Sequence, residues 1–229
     1  MMHRFERING VYRLFVATGV SAISVLILDQ LQEVLKSRSL AWVVLLGLVA
    51  IAVFLLNQAF EGLLEASVTI RKLIAGDEFI EGHWHDISVD RSTKVIRHGC
   101  FLTIRWEDGR FALNGTTFDE AGNLDSTFRS TSAAFENGIL TFGYQSYSKG
   151  YDHAIEIGID QFQFDRPAQS YSGFYFDFTK TIECRIHGIK VDRETLTKFN
   201  HFADLAAKQR FITEKMAEMK RTLGANSPG

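Results

Sequence analysis

The chain has 229 residues, 46% of them hydrophobic, with 25 Lys and Arg against 27 Asp and Glu for a net charge of −2. That length allows one or two domains, and that charge balance excludes the broad basic surface by which proteins hold duplex nucleic acid. Only two cysteines occur, Cys100 and Cys184, and they fit reduced, core-filling thiols at least as well as one disulfide.

The apolar residues concentrate in two segments. "LFVATGVSAISVLIL", Leu14 to Leu28, carries no charge, and with Ile8 to Tyr12 ahead of it becomes long enough to span a bilayer, Arg13 snorkelling outward. "LAWVVLLGLVAIAVFLLNQAF", Leu40 to Phe60, is the stronger span. Backbone in lipid must satisfy its own hydrogen bonds, so both are expected to be helices. The first segment also has the basic start and small residues of a cleaved signal peptide. The short link "DQLQEVLKSRS" to a second full span favours a transmembrane helical hairpin, with spans at about 8–28 and 40–60. Arg4, Arg7, Arg13, Arg71 and Lys72 flank the outer ends, against Lys36 and Arg38 in the link, which directs both termini to the cytoplasm. The spacing of Leu63, Leu64, Val68 and Leu73 carries the second helix onward as a short stalk to residue 78.

From Phe79 to Val191 the pattern changes to short alternating runs separated by turn residues. Eight are legible: "FIEGHWHDISV", "GCFLTIRWE", "RFALNGTTF", "LDSTFRSTSAAF", "GILTFGYQSYS", "YDHAIEIGIDQFQF", "YSGFYFDF" and "TIECRIHGIKV". Tight "DG" and "NG" turns specify antiparallel hairpins, and eight meandering strands remove their exposed edges by closing into an up-and-down β-barrel. The fourth run is small and hydroxyl-rich. The fifth alternates Thr141, Gly143, Gln145 and Tyr147 with Leu140, Phe142, Tyr144 and Ser146. Neither supplies the Leu, Ile and Val of a solid interior, so a polar-lined cavity is expected, on a phase that a one-residue slip would invert. Gly82 allows the first strand to bend at the barrel base, with Trp84 pointing inward as a plug. Residues 192–229 follow as a single amphipathic helix with Asp192 as N-cap and a disordered tail. That helix would pack on the barrel, a neighbouring subunit or the bilayer.

No catalytic constellation, phosphate-binding glycine loop or metalloprotease motif occurs, and no cofactor is implied. His83 and His85 share a strand face, the start of a zinc site, but without a third ligand they read as exposed histidines on the barrel surface. Arg105, Arg129 and Arg185 lie mid-strand. Turned inward, they would need an anionic partner and could clamp phosphate, while Trp106, Tyr144, Tyr147 and Tyr175 could stack on bases. Between Glu81 and Val191 there are 11 basic and 15 acidic residues, so a phosphate site would have to be local and concave.

The Gly82–Trp84 spacing on strand one resembles lipocalin and avidin-like barrels. Two amino-terminal transmembrane helices ahead of a lone eight-stranded barrel resemble the membrane effectors of bacterial cyclic-oligonucleotide anti-phage signalling systems (CBASS). That resemblance implies a cyclic dinucleotide ligand bound by the cytoplasmic barrel, for which the inward strand phase, not the resemblance, offers Trp84, Arg105, Arg129, Tyr144, Tyr147, Tyr175 and Arg185. It further implies homo-oligomerisation at the inner membrane, disruption of the lipid bilayer and death of the infected cell, with no enzymatic step. Two alternatives stand beside it. One is a membrane-anchored lipocalin-like carrier of an apolar molecule or lipid, with Phe174, Phe176, Phe178 and Ile186 lining the cavity. The other is an enzyme pairing Asp86 with His187.

Overall fold

The computed structural model describes residues 16, 18–20, 23–24, 27–93, 95–148, 156–179, 182–202 and 204–225. These form two units, divided after Gly76. In the first, residues 27–35 are helical, Lys36 turns the chain at φ 51, and Ser37 caps helix α1, Arg38–Ala66. This 29-residue helix is the one candidate membrane span among the described residues, by length and composition. Its surface is apolar nearly all round: Val43, Leu46, Ile51 and Phe54 are exposed, as lipid-facing side chains would be. Most of the expected span at 8–28 lies outside the described residues, so a two-helix transmembrane hairpin is not established. The stalk is not continuous either. Ser67 ends α1 in extended conformation and caps a new helix, α2, Val68–Ala75, by accepting from the Ile70 amide. Arg71 is buried there and donates to the carbonyls of Leu64 (2.5 Å) and Glu65 (2.9 Å), two acceptors that the end of α1 leaves open.

The second unit is the barrel. Strands β1 (Gly82–Asp90), β2 (Ile96–Glu107), β3 (Arg110–Phe118), β4 (Leu124–Glu136), β5 (Ile139–Ser148), β6 (Glu156–Phe164), β7 (Ser170–Asp177) and β8 (Ile182–Lys190) pair antiparallel in chain order, and β8 closes on β1. The turns account for the meander. Asp108–Gly109 and Asn137–Gly138 all take positive φ (51, 73, 53 and 81), the backbone twist that a two-residue hairpin needs.

The interior divides into two halves. Where the chain enters, Trp84 is fully buried and donates Nε1–H to the Ile80 carbonyl at 2.9 Å. It meets Phe164 edge-on at 5.1 Å and Tyr171 at 5.3 Å. Phe162 stacks on Tyr171 at 4.2 Å, and Ile104, Leu113, Leu140 and Phe142 complete the plug. Gly188 makes the stack possible, because a Cβ there would lie 2.2 Å from the Tyr171 ring. Beyond this layer the inward residues turn polar and a cavity opens toward the other end.

A second apolar core lies outside the barrel. The carboxy-terminal segment is two helices, not one: α3, Arg193–Asn200, capped by Asp192 accepting from the Thr195 amide at 2.6 Å, and α4, Leu205–Ala225. The helical path is interrupted after Asn200, where His201 leaves helical geometry. Ile212, Met216 and Met219 of α4 pack on the outward faces of Ile87, Ile96, Phe101 and Phe118. Phe199 of α3 stacks on Phe101 at 4.1 Å. β1 is consequently buried on both faces. This corrects one reading of the histidines. His83 and His85 do share the outer face, and His83 bonds Thr103 at 2.9 Å, but His85 is buried against Phe101 at 4.4 Å because the helices cover it.

Candidate ligand-binding site

The alternation that places Trp84 inside also places Asp86 inside. The same rule on β6 turns Asp160 inward with Phe162 and Phe164, and on β7 turns Tyr175 and Asp177 inward with Tyr171. These side chains converge on a cavity of about 170 Å³. Its floor is Asp86, Cys100, Asp160, Phe162 and Ile186. Its wall carries Thr117, Ser126, Phe128, Tyr144, Ser146 and Tyr175, and Arg97, His98, Asp125, Glu156 and Asp177 complete the lining.

The lining is acidic: Asp86, Asp125, Glu156, Asp160 and Asp177 contribute carboxyl groups. The one guanidinium among the described lining residues is already engaged, since Arg97 donates through Nε (3.2 Å) and Nη2 (3.0 Å) to Asp90 Oδ2. Asp90 is itself held well below the usual carboxylate range by the Ser92 hydroxyl, the Ser92 and Thr93 amides and Arg97.

The deepest carboxyls behave differently. Burial pushes Asp86 up to about 7, against the opposing effect of the Tyr171 hydroxyl, which donates to its Oδ2 at 2.5 Å. Burial also pushes Asp160 well up, and the neighbouring Asp86 adds to this. Asp160 Oδ1 is buried with no hydrogen-bond partner among the described residues. Burial and nearby carboxylates raise the Tyr144 phenol, and burial with a hydrogen bond to Cys184 raises Tyr175, so both rings stay neutral donors. The side walls are linked by hydroxyls, with Thr117 and Ser126 2.6 Å apart and Ser146 donating to Ser126 at 3.0 Å.

The expected site residues separate across the sheet. Tyr144 and Tyr175 line the cavity, and Trp84 lies beneath it in the plug. Arg105, Arg129 and Arg185 are exposed on the outer face, each one position from an inward residue: Ile104, Phe128 and Ile186. Tyr147 is also outside, its ring 5.4 Å from the Arg129 guanidinium. Phe174 and Phe178, expected to line an apolar cavity, are exposed, while Ile186 does line the site. Asp86 and His187 cannot meet as an acid–base pair, because Asp86 faces Gly188 and His187 faces Ile87 across the β1–β8 ladder. Cys100 and Cys184 are free, buried thiols. Among the described residues no group of His, Cys, Asp and Glu is arranged to hold a metal ion.

No protein-family model matches the sequence. No curated protein matches it either. Among solved structures, the chain is similar to a biogenic amine-binding protein studied as its selenomethionine derivative, with 14% identity and a TM-score of 0.39 over 54% of this chain and 71% of that one. It is similarly like the amine binding protein of Rhodnius prolixus in its tryptamine complex, with 14% identity and a TM-score of 0.40 over 54% of this chain and 70% of that one. The likeness is one of barrel fold.

Proposed function

We propose that the barrel is a receptor for a small organic cation, carried on a chain that α1 anchors in a membrane, and that it binds its ligand without transforming it. The observation that carries this reading is the cavity floor, where two buried carboxyls, Asp86 and Asp160, face a space lined by Tyr144, Phe128, Phe162 and Tyr175. An ionised carboxyl buried without a counter-charge is costly, which is why burial pushes both groups toward the protonated form. A cation relieves that cost, and the aromatic faces attract it further. The cavity is smaller than pockets for drug-sized molecules, which run to roughly 300–1,000 Å³, so the ligand is small.

The same floor opposes the cyclic dinucleotide implied by the CBASS resemblance. Two phosphates would meet Asp86, Asp160 and Asp177 with no uncommitted guanidinium among the described lining residues. Membrane disruption and homo-oligomerisation have no observation behind them. The small-molecule carrier is the better supported expectation, with its apolar ligand replaced by a charged one. The two solved proteins of similar fold are described as amine binders, but the likeness speaks only to the fold, and the reading rests on the carboxyls.

The test is a thermal-shift panel on the full-length chain in detergent, since a ligand that binds only the folded state raises the melting temperature. 2-Phenylethylamine should raise it, whereas oleate and a cyclic dinucleotide should not. Stabilisation by the dinucleotide with none by the amine would refute the proposal.

A further inference from the structure

Asp160 stands mid-strand in β6, opposite Phe142 of β5 and Tyr175 of β7. It is more than nine-tenths buried, it lines the cavity, and its Oδ1 accepts no hydrogen bond from any described residue. Buried acceptors are nearly always paired, and one that is not asks for an explanation. Three donors of the barrel interior are committed elsewhere. The Tyr171 hydroxyl goes to Asp86, the Tyr175 hydroxyl to Cys184, and Arg97 to Asp90.

We infer that Asp160 is a specificity residue that selects, among small cations, those with an N–H to give: a primary, secondary or tertiary ammonium donating to Oδ1. This rests on the cation reading above and narrows it from charge to hydrogen-bond donor. A quaternary ammonium brings the same charge and a similar aromatic contact. It cannot donate, so it would leave that oxygen buried and unpaired, and sites built around a polar partner reject ligands that lack it.

The experiment titrates the full-length chain in detergent, by calorimetry, with 2-phenylethylamine and with its N,N,N-trimethyl analogue. The primary amine should bind at least tenfold more tightly, a difference of about 1.4 kcal/mol. Asp160→Leu, which removes the unpaired acceptor, should bring the two probes to equal affinity. Equal or tighter binding of the quaternary probe to the unsubstituted protein overturns this inference and leaves the cation reading standing. Failure of both probes to bind overturns both. The comparison between probes requires no variant, so it holds even if Asp160→Leu does not fold.

Discussion

Tyr171 donates its hydroxyl proton to Asp86 Oδ2 at 2.5 Å, joining the aromatic plug of the barrel to the acidic floor of its cavity. Both residues are buried, and the phenol ring is fixed between Trp84 and Phe162. The bond orients the carboxyl and favours its ionised form. Tyr171→Phe should therefore destabilise the protein by about 1–3 kcal/mol, the cost of stripping a buried acceptor of its donor. It should also push Asp86 further up. Urea unfolding at neutral pH checks the first effect, and carboxyl titration by infrared difference spectroscopy checks the second.

The position of Asp86 near 7 makes stability depend on pH in a known direction. An Asp in the unfolded chain loses its proton near 3.9, so between there and 7 the folded state holds a proton that the unfolded state has lost. Stability is present in full below that window and falls as pH rises through it. Asp86→Asn removes the effect while keeping an acceptor for Tyr171. Relative to this variant, the unsubstituted protein should lose on the order of 2 kcal/mol between pH 4.5 and 6. Parallel pH profiles of the two proteins would contradict this.

His85 runs the other way. Burial lowers it to about 3, Lys215 adding to the effect and Glu218 opposing it, and neither ring nitrogen has a partner among the described residues. The unfolded chain takes up the proton near 6.5 and the folded one does not, so stability falls as pH drops from 6.5 toward 3. His85→Leu should spare the protein about 2 kcal/mol of that loss at pH 5, seen as a smaller drop in the urea midpoint between pH 7 and pH 5.

Much of the fold is legible in the sequence because it is fixed locally. "DG" and "NG" set two hairpins, and strand four, read as Leu124 to Phe135, extends in the structure only to Glu136. Gly82 and Trp84 identify the plugged end. The site is legible too, from strand phase. Trp84 fixes the inner phase of β1, and Asp86 is two residues on. Phe162 and Phe164 fix that of β6, and Asp160 is two residues back. Arginine chemistry points instead to Arg105, Arg129 and Arg185, which the same strand phase turns outward. Two features were not legible. The burial of His85 depends on α3 and α4 folding back over β1 and β2, a long-range docking that no local pattern encodes. The helix break after Asn200 falls where side-chain periodicity alone continues.

That docking is itself testable at Gly122, in the β3–β4 turn, where φ is +78 and a Cβ would lie 2.7 Å from the Gln209 carbonyl oxygen and 3.1 Å from its Cα. Gly122→Ala combines backbone strain with a clash against α4, and overpacking of this kind costs about 1–3 kcal/mol. Gly109→Ala is the control, because it has a similar φ of +73 with nothing within 4 Å. Limited proteolysis should cut within α4 faster in the Gly122 variant than in the Gly109 variant. Equal rates would place the helix elsewhere.

The central claim is that an acidic, aromatic cavity in the barrel takes up a small cation. Calorimetric titration of the full-length chain with 2-phenylethylamine, in two buffers of different ionisation enthalpy near pH 6, tests it most directly. An arriving ammonium favours ionised Asp86 and Asp160, so the account predicts saturable binding with release of protons, read as a buffer-dependent heat. No binding, or binding with no proton released, would contradict it.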